Sequence, residues 1–337
     1  MLFDVGEEIR LSAVTEILSV PVPDRSAAAP RPGPDYIRFE RPPVTEAIQG
    51  GQIKYYDYGV ISYEQEHEFC CAWDVLIAET SRRVLDTTAE AAALARVRTH
   101  FARIRPAVVK PYTEWLSEDY LLVTVTPGEL SAQELLQRFG GEIAQIVRGD
   151  PLPLSENERQ EVLQARISYY PNDLLVAGWS AAFVYDNFTA AGPTLQLLEY
   201  ANTQLLELRH YDDLLTRVLA GVYVALDEKR GFFRRWRYSN DAERLNTIRL
   251  DIIELTERVD NAIKFVSDMF YARMYRLAAA RVGVPDYRRL VEQKLQTAAA
   301  LYQFMVDQFQ QTRGFLLEVL VVIILLIEIA PLFWGKL

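Results

Sequence analysis

The stretch most suggestive of chemistry lies between Lys229 and Tyr238, where Lys229, Arg230, Arg234, Arg235 and Arg237 are interleaved with Phe232, Phe233, Trp236 and Tyr238. Guanidinium groups meet phosphates, while rings lie at a lipid interface or stack on bases. Lys229, Arg230, Arg234, Arg235, Trp236 and Arg237 are therefore candidate contacts for anionic lipid or for RNA. A plainer reading stands beside these two: a turn between helices, with its rings packed inward and its arginines paired with acids.

A second group, Glu64, Glu66, His67, Glu68 and Cys70, carries metal-ligand residue types within seven positions. Alternate positions of a strand point to opposite faces, so this spacing reads as a solvated acidic edge rather than a metal site. His100 and His210 are isolated and fall in helical stretches. Ser180, in Gly-Trp-Ser-Ala-Ala, lacks the second glycine of a nucleophile elbow and reads as a small residue in a packed strand. No phosphate-binding loop, dinucleotide fingerprint or metalloprotease helix is present. The signal for an enzyme is weak, and neither a cofactor nor a metal is expected.

Bulk properties narrow the partners. The 337 residues hold 36 Lys and Arg against 46 Asp and Glu, a formal charge of −10. That balance argues against broad attraction to nucleic acid and against DNA as a partner. The two cysteines, Cys70 and Cys71, are adjacent, so they supply no disulfide framework and suit a reducing compartment. The first ten residues contain Asp4, Glu7 and Glu8 and no basic, apolar leader. Neither a secretory signal nor a transit peptide is expected from them.

Several elements are needed to position these residues. Residues 1–20 read as a strand and a helical turn. From Pro21 to Pro43 stand seven of the sixteen prolines, the composition of an extended linker, here bounded at 21–48. An α+β head is expected over 49–190. Within it, Ile53–Tyr63 reads as a hairpin or a bulged strand around Gly59, and Trp73–Val84 and Thr88–Ile104 read as helices. Tyr120–Thr126 is a strand ended by Pro127. Ser131 with Glu134, and Ser155 with Glu158, open helices. Asp173–Asp186 reads as one long buried strand bent at Gly178.

A helical region is expected over 191–313. Apolar residues step by three and four from Leu245 to Met269, and again from Val291 to Leu316, with Gly283 and Pro285 between. Two such helices with a short turn form an antiparallel hairpin, a coiled coil that self-associates if its seam exceeds what one hairpin buries. Beyond it, Val319–Ile327 is wholly aliphatic. Extended over 314–334, the run is about 30 Å of helix, enough to cross a bilayer core. The expectation is a C-terminal transmembrane helix, a single-pass tail anchor in contact with membrane lipids, with the bulk of the chain cytoplasmic. Glu328 is the polar residue inside that span and carries a cost there.

The quoted motifs also support a resemblance. Asp173–Asp186, the segment Leu197-Leu-Glu-Tyr-Ala-Asn-Thr-Gln-Leu-Leu-Glu-Leu-Arg-His-Tyr-Asp-Asp213, Phe270–Leu277 and the Leu-Ile-Glu-Ile around Glu328 together resemble bacterial relatives of the proteins required for meiotic nuclear division. Tyr56–Val60 is similar to that family's amino-terminal strand. The resemblance covers residues 51–335 and implies a C-terminal membrane segment, but no catalytic residues. The function expected from the sequence is a membrane-anchored, non-catalytic scaffold or tether, forming homo-oligomers through its stalk. The alternatives are an RNA- or ribosome-contacting tether, or an enzyme with its site in the head.

Overall fold

The computed structural model describes residues 1–21, 42–227, 250, 269–301, 303 and 321–322. The fold is α+β. The chain divides into two compact units, Met1–His210 with Ile253–Arg289, and Tyr211–Ile252 with Leu290–Leu337.

Among the described residues, the first unit holds two sheets. Strands β1 (Leu2–Ile9), β2 (Val44–Ile48), β3 (Gly51–Tyr55), β4 (Val60–Gln65) and β5 (Val108–Glu118) form an antiparallel sheet in the order β2-β3-β4-β1-β5. Phe3, Val5, Ile53, Tyr55 and Ile61 pack one face of it against α1 (Leu11–Leu18) and α3 (Ala89–Ile104), through Val14, Ala93 and Val97. Between β3 and β4 the chain turns through Tyr56–Gly59, which settles the choice for Ile53–Tyr63 in favour of a hairpin. Gly59 has φ +92°, and a Cβ there would stand 1.8 Å from the Gly6 carbonyl oxygen, so the turn closes on β1 only with glycine. β5 has no counterpart among the strands read from the sequence. Pro111 lies in it and is tolerated because β5 is the sheet's edge.

The second sheet has the order β6-β9-β8-β7, from β6 (Leu121–Val125), β7 (Arg166–Ile167), β8 (Leu174–Ala177) and β9 (Ala181–Tyr185). Its core lies under α2 (Trp73–Val84), α4 (Ala132–Arg148) and α5 (Glu156–Gln164), with Ile143, Ile146, Val176 and Phe183 at its centre. Ser131 caps α4 in a capping box with Glu134, and the Ser155 side chain accepts from the Glu158 amide at the start of α5. Asp173–Asp186 is two antiparallel strands, not one bent strand. The chain reverses at Gly178, where a Cβ would lie 2.5 Å from Val147 Cγ1, and the Gly178 amide donates to the Ala181 carbonyl. Ser180 sits in that turn rather than inside a strand.

The helices α6 (Phe188–Asp227), α7 (Met269–Arg281) and α8 (residues 284–301) follow. In the second unit, Lys294 of α8 lies 2.5 Å from an Asp212 carboxylate oxygen and donates to Thr216 Oγ1 at 2.6 Å. The stepping from Leu245 falls largely outside the described residues. The expectation of a transmembrane, single-pass tail anchor is corrected: among the described residues no helix is long and apolar enough to cross a membrane. Segment 314–334, with Glu328, lies outside them apart from Val321 and Val322.

Candidate functional site

The second face of the five-stranded sheet is charged. Residues of β1, β3 and β4 that alternate with the apolar set turn toward α6, which answers with Glu199, Asn202, Thr203, Glu207 and His210. Lys54 Nζ stands 2.9 Å from Glu64 Oε2 and 2.5 Å from Glu199 Oε2, with both carboxylates largely shielded. Burial disfavours the charged form of Lys54, but Glu199 and Glu64 outweigh it and raise its pKa. Burial likewise opposes ionisation of Glu64, yet the Lys54 charge and its hydrogen bond hold that carboxyl below its ordinary value. Gln52 Nε2 adds a hydrogen bond to Glu64 at 2.7 Å. Close by, the Tyr58 and Thr203 hydroxyls are 2.9 Å apart, and burial pushes the Tyr56 and Tyr58 phenols far up.

Further along the same face, Asp4 Oδ2 lies 2.7 Å from His210 Nδ1, and Tyr112 stacks on the imidazole at 4.6 Å. Asp4 is 1% exposed and Glu207 5%. Burial raises the Asp4 pKa, partly offset by the hydrogen bond and charge of His210. Burial, then the neighbouring charge of Asp4, raises Glu207 well above the usual carboxylate range. Two carboxyls in one dry layer cannot both ionise cheaply, so this pair holds protons that exposed acids would release. Arg209 closes the row on Glu118.

The layer opens into a cleft of about 1050 Å³ that reaches from Lys54, Glu199 and Asn202 to β6 and α2. Asn202 is 1% exposed and its Oδ1 has no hydrogen-bond partner among the described residues. On the rim, Glu66, His67, Glu68 and Cys70 are exposed and line the cleft without converging, and Cys71 beside them is free. Among the described residues no group of three or more His, Cys, Asp or Glu side chains is placed to hold a metal ion. On the opposite, apolar side of the sheet, His100 Nδ1 lies 3.1 Å from Glu46 Oε2, and Arg103 donates to the same carboxylate.

Lys229, Arg230, Arg234, Arg235, Trp236 and Arg237 lie outside the described residues. The sequence missed Asp4, Lys54, Glu199 and Glu207 and left His210 isolated. Lys54 and Glu199 are 145 positions apart, and no local spacing relates them. One signal was available: Lys54 stands inside an apolar, aromatic strand, where a charge needs a partner.

Residues 1–190 match the family model described as the N-terminal domain of uncharacterized protein MJ0711. Uncharacterized protein MJ0711 of Methanocaldococcus jannaschii is 24% identical over 187 residues, 56% of this chain and 57% of the relative. The chain thus spans a little over half the length of that relative. No solved structure matches. The resemblance to proteins required for meiotic nuclear division is thereby corrected: the matching family model is another one, and its named relative is archaeal.

Proposed function

We propose that this chain, which belongs to the MJ0711 N-terminal-domain family, is a non-catalytic scaffold that self-associates through its helical segment. The supporting observation is apolar surface in the second unit, where Tyr223, Leu250, Val321 and Val322 are each more than half exposed. Exposed apolar side chains on helices are a surface that partners cover.

Within that unit, Val291 and Ala298 are buried seven positions apart, and Leu215 and Leu219 are buried four apart. This is the spacing of a helix seam, fastened at Lys294. The apolar steps Leu245–Met269 and Val291–Leu316 extend the spacing beyond what this seam uses. These apolar steps are the positions we assign to contact with a second copy.

Two differently tagged full-length copies, expressed together, test the reading. Both tags are expected to co-purify, nuclease treatment is expected to leave them together, and Leu255→Asp with Leu295→Asp is expected to separate them. Tags that never co-purify contradict the scaffold. Association lost on nuclease treatment would transfer the assignment to an RNA-contacting one.

A further inference from the structure

The second sheet ends at β6, which pairs only with β9 among the described strands. In a parallel ladder alternate residues turn both amide groups to the same neighbour. The Leu121 amide donates to Ser180 O at 3.0 Å and the Asp186 amide to Val125 O at 3.2 Å. Leu121, Val123 and Val125 therefore bond toward β9, and Leu122 and Thr124 present their N–H and C=O groups on the edge that no described strand covers.

Every residue from Leu121 to Thr126 lines the cleft, and β6 is half-buried along its length. Natural edges are guarded by proline, lysine or a bulge. Leu-Leu-Val-Thr-Val carries no such residue. A half-buried edge strand without such residues is a template for an added strand, with backbone pairing supplying affinity and side-chain pockets supplying selection.

Charge selects the occupant. Seven carboxylates line the cleft against four Lys and Arg side chains. Lys54 is already taken by Glu64 and Glu199, and Arg82 and Arg83 by Glu79. Glu66, Glu68 and Asp119 stay exposed on the rim. At the floor, the buried and unpartnered Asn202 Oδ1 offers an acceptor.

We propose that the cleft takes an extended, lysine- or arginine-rich segment of a partner protein, added as a strand on the edge of β6 away from β9. Its basic side chains meet Glu66, Glu68 and Asp119. The site is in the first unit and does not depend on the self-association proposed above.

The test uses the full-length chain and a fluorescein-labelled peptide of alternating Lys and Val, read by fluorescence anisotropy. Binding is expected, and it should weaken as salt rises. Thr124→Pro removes an N–H that no ladder bond uses, so the sheet should tolerate it, while affinity should fall about tenfold or more. Thr124→Val should bind as the parent does. Should Thr124→Pro fail to fold, N-methylation of the peptide on alternate residues removes the reciprocal bonds, those its own N–H groups donate to the Leu122 and Thr124 carbonyls, and the parent protein should then lose the probe. Equal binding of the methylated probe, equal binding by a folded Thr124→Pro protein, equal affinity for a Glu-Val peptide, or no binding of the Lys-Val peptide would each overturn the proposal.

Discussion

The two faces of the five-stranded sheet are built from alternate residues of the same strands and do different work. On one, Phe3, Val5, Ile53, Tyr55 and Ile61 are fully buried against α1 and α3. On the other, Lys54 is paired with Glu199 of α6 and with Glu64 beside it on the sheet, and Asp4 lies against His210 of α6. Apolar burial is non-directional and proportional to area, so the first face supplies stability with little demand on orientation. Charged groups in a dry layer are favourable only in the arrangement that pairs them. The second face therefore fixes how α6 lies on the sheet, and ties that fit to pH.

Substitutions on each face sharpen this contrast. The largest loss is expected for Phe3→Ala, which removes a fully buried ring and leaves a cavity. About 3–5 kcal/mol should disappear from the unfolding free energy, measured by denaturant titration. Lys54→Ala should cost about 3 kcal/mol by leaving Glu64 and Glu199 uncompensated. Replacing all three together with apolar residues of similar volume should restore most of that loss. A triple variant as unstable as Lys54→Ala would mean that packing, not charge pairing, governs this face.

The alkaline side of the pH response should report the charged face next. Asp4 and Glu207 have raised folded-state pKa values, so the folded state holds more protons than the unfolded chain. Their contribution is fully present below the ordinary carboxylate range and is lost as pH rises through the folded values. Glu64 and Glu46 have lowered values, and their contribution is lost as pH falls below the ordinary range. Thermal melts from about pH 5 to about pH 8 should decline on the alkaline side, and Asp4→Asn with Glu207→Gln should flatten that decline. The smallest effect is expected for Tyr58→Phe, which removes one buried hydroxyl pairing with Thr203, at about 1 kcal/mol.

How much of this was legible in the sequence follows the same division. Periodicity and caps are local, so α2, α3, β6 and the capping box at Ser131 could be read directly from their residues. The hairpin at Gly178 was hidden because two short apolar strands and one long one look alike until the glycine's close approach to Val147 is known. β5 was hidden because proline argues against a strand except at an edge, and edges are set by topology. The charged face was hidden for a deeper reason: Asp4 meets His210, and Lys54 meets Glu199, only after the whole sheet has formed. The family followed by the resemblance was corrected by the match over residues 1–190.

Sedimentation velocity of the full-length chain across low to high micromolar concentrations tests the scaffold most directly. A species heavier than the 38.6 kDa monomer is predicted, dissociating on dilution and with Leu255→Asp and Leu295→Asp. A single 38.6 kDa species at every concentration would contradict it.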